Sequence, residues 1–324
     1  MSISSLISQH PLAFHIAIIT ACFIVLVKAA DMVVFGIDRY AKKEGLSDYL
    51  IGLLVVSLTA STPELVSSIN GLRLGDTGII FGTILGSNIA GITLVLGIYA
   101  LVGRRIKLKN KILTKMEVIL FFLMSVPFLL ATDGVLSRLD GAVLIGIYLI
   151  YVIVLWKKEA AIGRMKKDVK LKVIWEDALI FIMAIVALFL SSQFLVDSSI
   201  KASKIIGLPS FVMAVVVLGI ASSLPDLFVG IRSILKGDSG IGIGNSLGSI
   251  IVKVLLFFGI FALIKPLAVD FSYLTITILA TIFSLAFVLY LSEKGKMNWK
   301  HGLILLFIYI AYISIELVTG LMGR

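Results

Sequence analysis

The chain has 324 residues, of which 59% are hydrophobic and only 15% are charged, and its formal net charge is +10. A soluble domain of this size carries far more charge on its surface, so this composition excludes an ordinary globular protein. Several windows of about 20 residues contain almost no charge, which is the length an α-helix needs to cross a bilayer. The composition therefore predicts an all-α polytopic membrane protein.

Hydropathy predicts ten helical spans along the chain. The first, at 11–36, is an apolar run that no Lys or Arg precedes, so we interpret it as a span and not as a cleaved signal peptide. It contains Cys22, the single cysteine, which excludes an intramolecular disulfide. The other predicted spans lie at 48–70, 78–101, 116–132, 140–156, 176–199, 210–231, 240–264, 271–291 and 300–321.

Basic residues are distributed unequally between the two faces that these spans define. One face holds 21 Lys and Arg, whereas the face that holds both termini has six. Because basic residues are retained in cytoplasmic loops, the bias predicts cytoplasmic basic loops and both termini outside. The expected location is the plasma membrane of a prokaryote, with the lipid bilayer as partner. Topology accounts for the basic runs, so no nucleic-acid partner is expected.

Two segments of the chain repeat each other at a constant offset of half the chain length. STPELVSSINGLRLGD, from Ser61, aligns without a gap with SLPDLFVGIRSILKGD, from Ser223. Each half has five predicted spans, an odd number, so the halves would enter the membrane in opposite senses. Such inverted-topology repeats are the usual build of secondary transporters, with the substrate site where the repeats meet.

The predicted domain organisation follows from this repeat. Two five-helix halves, at 1–156 and 176–324, are joined by a basic cytoplasmic linker at 157–175. The repeated motifs occupy 52–97 in the first half and 214–259 in the second.

Each repeated motif places a proline beside an acid within an apolar span, Pro63 with Glu64 and Pro225 with Asp226. The prolines are expected to break their helices and free backbone carbonyls, which persists in a bilayer only beside a cavity or another helix. Hard cations bind carboxylate, hydroxyl and carbonyl oxygens, and buried membrane acids are functional by default. The motifs therefore predict a cation site, against the alternative of a proline kink with an acid paired for packing. Neighbouring hydroxyls cluster with the two acids, namely Ser57, Ser61 and Ser68 in the first copy and Ser222 and Ser223 in the second.

These residues resemble the two alpha-repeats of the calcium/cation antiporter superfamily, the sodium/calcium exchangers and their prokaryotic relatives. ASTPELVSS and SSLPDLFVG resemble the family's helix-breaking Pro-Glu motif. GTILGSNIAG, which includes Asn88, and GNSLGSIIVK, which includes Asn245, resemble its paired Gly-Asn/Gly-Ser motif. The resemblance implies that Glu64 and Asp226 are the two central ligands. It also implies hydroxyl ligands, Ser61, Ser87, Ser222, Ser223 and Ser249, with carbonyls near Ser57 and Gly219.

The chain departs from this family pattern at positions that bear on the substrate. It has Ala60 where the exchangers have Thr, Asp226 where Glu is usual, Gly91 where Asn is frequent, and Lys253 where Asp is frequent. A protonated Lys253 would repel Ca²⁺ by an amount on the order of several kcal/mol. We therefore expect Lys253 to pair with Glu64 or Asp226 as a tethered cation in place of one transported ion, unless it snorkels to an interface. Its symmetry mate, Gly91, would leave room for the amine.

The predicted function is a secondary active cation antiporter that exchanges Ca²⁺ or another cation for Na⁺ or H⁺, with alternating access implied by the resemblance. Two alternatives remain. One is a monovalent cation/proton antiporter with Lys253 as built-in cation, and the other is a non-transporting membrane homologue. No Walker motif, GxSxG, HExxH or cysteine cluster occurs, so neither enzymatic activity nor a cofactor is expected, only transported cations.

Three further charged residues lie inside or near spans without a predicted role. Lys28 and Asp31, three residues apart in the first span, are expected to neutralise each other. Glu316 lies near a span end, where hydration is easy.

Overall fold

The computed structural model describes residues 11–44, 52–107, 111–161, 174–206, 213–237 and 239–321, which are mostly helical. The α-helices of the first half are α1 (Pro11–Glu44), α2 (Ser57–Ala60), α3 (Thr62–Leu74), α4 (Thr77–Ala90), α5 (Leu96–Gly103), α6 (Lys111–Leu130) and α7 (Arg138–Ala161). Those of the second half are α8 (Ile174–Ile206), α9 (Gly219–Leu235), α10 (Ser239–Ile251), α11 (Phe258–Ile264), α12 (Phe271–Glu293) and α13 (Trp299–Leu321).

Four π-helical segments adjoin these helices: π1 (Gly52–Val56), π2 (Gly91–Val95), π3 (Met213–Leu218) and π4 (Val252–Phe257). Such segments occur frequently at functional sites. To within one position, π1 and π3 are separated by half the chain length, and so are π2 and π4. The offset found in the sequence therefore recurs in the local backbone structure.

Two short antiparallel β-ribbons join the two halves at helix ends. Strand β1 (Arg105–Lys107) pairs with β4 (Lys296–Asn298), and β2 (Val135–Leu136) pairs with β3 (Leu267–Ala268). Each ribbon combines one strand from each half, so the ribbons connect the halves outside the helical core. They are an addition to the all-α fold predicted from the sequence.

Glycines let the two halves approach closely beside the π segments. Segment π1 packs against α10, and π3 packs against α4. A Cβ atom on Gly248 would overlap the carbonyl oxygen of Leu53, and one on Gly86 would overlap the carbonyl oxygen of Val215. Small residues at helix interfaces permit such close backbone contacts. The repeated glycines thus act as crossing points between the halves.

The surface of the helices is apolar, as a lipid environment requires. Large side chains such as Phe307 and Phe122 are exposed, at 71% and 65%, which is a marker of a membrane or interaction surface. Within the described residues, six helical stretches are long and apolar enough to cross a bilayer: Thr77–Gly103, Arg138–Lys157, Met213–Leu235, Ser239–Ile264, Leu274–Leu291 and Trp299–Thr319. The protein is thus an integral membrane protein.

Several predicted boundaries differ from the observed ones or cannot be compared with them. Helices α1 and α8 both extend beyond the predicted spans, to Glu44 and Ile206. The residues from 162 to 173, which form most of the predicted linker, and both chain termini lie outside the described residues.

Candidate cation-binding centre

Glu64 and Asp226 occupy corresponding places in helices that begin differently. Glu64 lies in the first turn of α3, where Pro63 stands at the helix start. An N–H group at that position would have no intrahelical acceptor, so the proline costs no hydrogen bond there. The predicted break is therefore found between α2 and α3. Pro225, in contrast, lies inside α9, which runs through it without interruption, so the helix break predicted there is wrong. Backbone and side-chain groups can re-satisfy a proline-containing membrane helix, and here the irregular backbone precedes α9, in π3.

The amine of Lys253, carried by π4, meets both acids. Its Nζ lies 2.8 Å from Oε1 of Glu64 and 3.8 Å from Oδ2 of Asp226. It also donates a 3.2 Å hydrogen bond to Oγ of Ser87. Lys253 is only 1% exposed and Glu64 is 0% exposed, so snorkelling to an interface is excluded and the predicted pairing is confirmed. Because a buried ammonium needs paired carboxylates, the three charged groups form one electrostatic unit.

Asp226 is fixed by several donors. Its Oδ1 accepts hydrogen bonds from Nδ2 of Asn245, at 2.9 Å, and from Oγ of Ser249, at 3.0 Å. These two donors lie one turn apart on α10, which packs against α9. The carboxylate of the second half is therefore held mainly by its own half of the chain.

Tyr99 adds a contact from the first half that was not predicted from the sequence. Its hydroxyl donates a 2.5 Å hydrogen bond to the backbone carbonyl of Asp226. The ring lies against Gly230, where a Cβ atom would overlap it. The glycine in the PDLFVG stretch of the second motif is the one feature of the sequence that could have pointed to this contact.

Glu64 lacks the donors that Asp226 has. The positions on α4 that correspond to the two donors on α10 are Thr83 and Ser87. Within the part of the chain that the structure describes, Oγ1 of Thr83 and Oε2 of Glu64 have no hydrogen-bond partner. Ser87 accepts from Lys253 and donates to a carbonyl of its own helix. The centre is therefore asymmetric: the acid of the second half accepts two hydrogen bonds, whereas the acid of the first half has the lysine as its partner among the described residues.

The remaining predicted hydroxyl ligands are buried near the acids but are bonded to backbone. Ser57 donates to a carbonyl one turn earlier. Ser222 and Ser223 both donate to the carbonyl of Gly219, at 3.5 and 2.7 Å. Ser223 also lies 3.3 Å from the carbonyl oxygen of Ser87, which joins α9 to α4.

A second group of predicted residues has buried polar atoms without a partner. Ser61 and Asn88 are 0% exposed, and among the described residues nothing bonds to Oγ of Ser61, to either amide atom of Asn88, or to Oδ1 of Asn245. Buried polar groups without a partner are unfavourable and call for an explanation. Their oxygen atoms are of the type that binds hard cations.

Gly91 occupies the position in π2 that corresponds to Lys253 in π4. A Cβ atom there would meet no atom of the described residues within 4 Å, so within this part of the chain the expected open space beside Gly91 is present. The carbonyl of Gly91 accepts a 3.3 Å hydrogen bond from Oγ of Ser246, which links the two halves.

Two sequence-based expectations about charges outside the centre are wrong. Glu316 is not hydrated but 1% exposed, and it accepts a 2.8 Å hydrogen bond from Oγ1 of Thr277, because α12 covers this end of α13. The carboxylate of Asp31 pairs with Nε of Arg232 at 3.1 Å and not with Lys28, because α9 packs against α1.

The centre contains two acids and one ammonium, and no group of three or more His, Cys, Asp and Glu lies together among the described residues. Ionisable residues buried inside membrane helices mark ion pathways, and a site shared by two repeated halves is typical of secondary transporters. The fold and the centre thus define a membrane ion transporter. A family model described as sodium/calcium exchanger protein matches residues 14–157 and 177–318. The chain belongs to this family.

Individual relatives extend over most of the chain. The sodium/calcium exchanger MaX1 of Methanosarcina acetivorans is 25% identical over 332 residues, covering 90% of this chain and 95% of its own. The inner membrane protein YrbG of Escherichia coli K12 is 27% identical over 274 residues, covering 78% and 81%. A structure of the sodium-calcium exchanger NCX_Mj, soaked with 100 mM Na⁺ and 10 mM Sr²⁺, matches with a TM-score of 0.81 at 21% identity and covers 94% of this chain and 98% of its own. The protein is thus a cation antiporter with the exchanger fold.

Proposed function

We propose that the chain is a secondary active antiporter whose transported cation binds at Glu64 and Asp226, and which exchanges Ca²⁺ or another cation for Na⁺ or H⁺. The observation that carries this proposal is the position of the Lys253 ammonium, which lies 2.8 Å from one acid and 3.8 Å from the other. A positive group held by an acid from each half marks a place where these oxygens bind a cation. The name of the relative MaX1, a sodium/calcium exchanger, supports Ca²⁺ and Na⁺ as ions to test.

The proposed architecture has ten spans in two inverted halves, at 1–156 and 176–324, joined by the linker at 157–175. The spacing of the π segments, at half the chain length, supports a repeated unit, and five spans per half would reverse its orientation. In this arrangement the basic loops face the cytoplasm and both termini face outside, in the plasma membrane of a prokaryote.

Transport proceeds by alternating access in this proposal. The ion is bound between α3 and α4 of the first half and α9 and α10 of the second. A movement that opens the centre to either side of the membrane therefore exposes the bound ion to that side. Helices α1 and α8 pack on each other, and α1 also packs on α9. These contacts support the proposal, implied by the family resemblance, that this pair of helices slides over the core. The proposed ligands are Glu64, Asp226, Ser57, Ser61, Ser87, Ser222, Ser223 and Ser249, with Asn88, Asn245, Gly91 and Lys253 modulating the site.

Ion flux into proteoliposomes tests this function. The liposomes are preloaded with Na⁺ or with an acid interior, and uptake of ⁴⁵Ca²⁺ or ²²Na⁺ is measured for wild type and Glu64→Gln. Glu316→Gln is the matched control, because it makes the same change at a buried acid outside the centre. We expect gradient-dependent uptake of at least one ion by wild type and by Glu316→Gln, with more than tenfold slower uptake by Glu64→Gln. Absence of flux in wild type under every gradient would refute the antiporter and favour a non-transporting homologue.

A further inference from the structure

Lys253 makes the contacts that a bound monovalent cation would make. Its ammonium is surrounded by a carboxylate oxygen of Glu64 at 2.8 Å, a hydroxyl oxygen of Ser87 at 3.2 Å and a carboxylate oxygen of Asp226 at 3.8 Å. These are the oxygen types that hard cations select. Unlike an ion, the ammonium is covalently tethered and is not released into solution.

The hydrogen bonds around the centre leave more oxygen atoms available to a second cation on the side of the first half than on the side of the second. Oδ1 of Asp226 is taken by Asn245 and Ser249. On the side of the first half, Oε2 of Glu64 and Oγ of Ser61 are fully buried and have no partner among the described residues. Ser61 stands at the N-cap of α3, three residues before Glu64. Oγ1 of Thr83 and Oδ1 of Asn88 are also unpartnered among the described residues, and Oδ1 of Asn245 adds one such oxygen from the second half. Most of the free oxygen ligands around the centre therefore belong to the first half.

The correspondence between the halves also supports a single additional cation in the centre. Lys253 corresponds to Gly91, and a Cβ atom on Gly91 would meet nothing within 4 Å. A protein cation therefore fills one of the two equivalent places, and no side chain of the described residues fills the space beside the other. Two carboxylates and one ammonium carry a net charge of −1, which one monovalent cation neutralises. A divalent cation would leave a net positive charge in a buried centre, beside the ammonium, which is unfavourable.

We propose that Lys253 determines specificity by replacing one transported cation, so that the centre accepts a single monovalent cation and discriminates against divalent cations. The proposal rests on the antiporter function proposed above and adds the class of substrate. The cation binds at the unpartnered oxygens beside Glu64, and Lys253 stays in place as a fixed counter-charge between Glu64 and Asp226.

Counterflow at fixed pH tests this inference. Proteoliposomes are loaded with unlabelled Na⁺ or Ca²⁺, and entry of ²²Na⁺ or ⁴⁵Ca²⁺ is measured for wild type, Lys253→Met and Lys253→Met/Asp226→Asn. These centres carry charges of −1, −2 and −1. We expect wild type to exchange Na⁺ with little Ca²⁺ counterflow. Lys253→Met should raise the ratio of Ca²⁺ to Na⁺ counterflow by at least tenfold, and the double variant should return this ratio toward that of wild type.

The outcomes separate the two proposals. If wild type carries Ca²⁺ and Lys253→Met leaves the ratio unchanged, the role of Lys253 is wrong although the antiporter function stands. If wild type carries neither ion, the antiporter function itself is refuted. Equilibrium dialysis of wild type against ²²Na⁺ and ⁴⁵Ca²⁺ needs no variant to fold. One Na⁺ per chain that Ca²⁺ does not displace supports the proposal, whereas two Na⁺ or bound Ca²⁺ overturns it.

Discussion

The buried pair of Lys253 and Glu64 should show strong energetic coupling. With Nζ and Oε1 2.8 Å apart, an effective dielectric constant of about 20 gives an attraction of about 6 kcal/mol, and the 3.8 Å approach to Asp226 gives about 4 kcal/mol. Breaking one partner of a buried pair typically destabilises a protein by about 3–5 kcal/mol, because the other charge stays buried without compensation. We expect Lys253→Met to be the more destabilising change, because it leaves two facing carboxylates, whereas Glu64→Gln leaves the lysine with Asp226.

The double variant Lys253→Met/Glu64→Gln closes a thermodynamic cycle. It leaves a single acid, Asp226, which keeps its donors Asn245 and Ser249. Since charged groups in direct contact are strongly coupled, the double variant's loss of stability should be smaller than the sum of the two single losses by about 2 kcal/mol or more. Thermal unfolding of the detergent-solubilised protein measures each loss. With an unfolding entropy of about 2.1 cal/mol/K per residue, a loss of about 3–5 kcal/mol lowers Tm by about 4–7 °C.

Added cation provides an internal control for this cycle. A ligand at about 100 times its Kd stabilises the folded state by about 2.7 kcal/mol, so a saturating cation should restore most of the lost stability of Lys253→Met. It should restore little in Glu64→Gln, where the cation's proposed ligand is gone. Losses that add within about 0.5 kcal/mol in the double variant would mean that the two side chains do not interact, and the reasoning would fail.

Two further predictions concern the frame of the centre. Gly248→Ala places a Cβ atom on the carbonyl of Leu53 and should destabilise the protein by about 1–3 kcal/mol. Gly91→Ala faces open space and should be neutral or stabilising by up to about 1 kcal/mol. Equal Tm values for the two variants would contradict this prediction. Tyr99→Phe removes the hydrogen bond to the carbonyl of Asp226 and should lower the stability of the protein by about 1 kcal/mol. It should slow ²²Na⁺ flux less than Glu64→Gln does. Flux as slow as that of Glu64→Gln would assign the tyrosine a direct role in transport.

The pairing of Lys253 was predictable, because a buried ammonium has few stable alternatives to a carboxylate and the repeat brings two acids to one depth. The expectation for Glu316, by contrast, was wrong. Its position near a span end suggested hydration, but the neighbouring helix α12 buries it. The sequence of one helix does not show which other helix covers it. The expected partner of Asp31 was wrong for the same reason, since its observed partner, Arg232, is distant in sequence.

Other features of the structure could not be predicted from the sequence. The hydroxyl of Tyr99 reaches a carbonyl 127 residues away, and an isolated tyrosine in an apolar span has no periodic signal. The β-ribbons have strands of two or three residues, too short for the alternation that identifies strands. The prediction at Pro225 was wrong because a membrane helix can absorb a proline when neighbouring groups satisfy its backbone.

The matching π segments also locate the difference between the two halves. A π turn holds one residue more than an α turn, and each half carries two such segments, at the same offset to within one position. Lys253 and Gly91 stand at equivalent places within the second pair. One half therefore has a positive charge where the other has no side chain, and this single side chain gives each half a different electrostatic task.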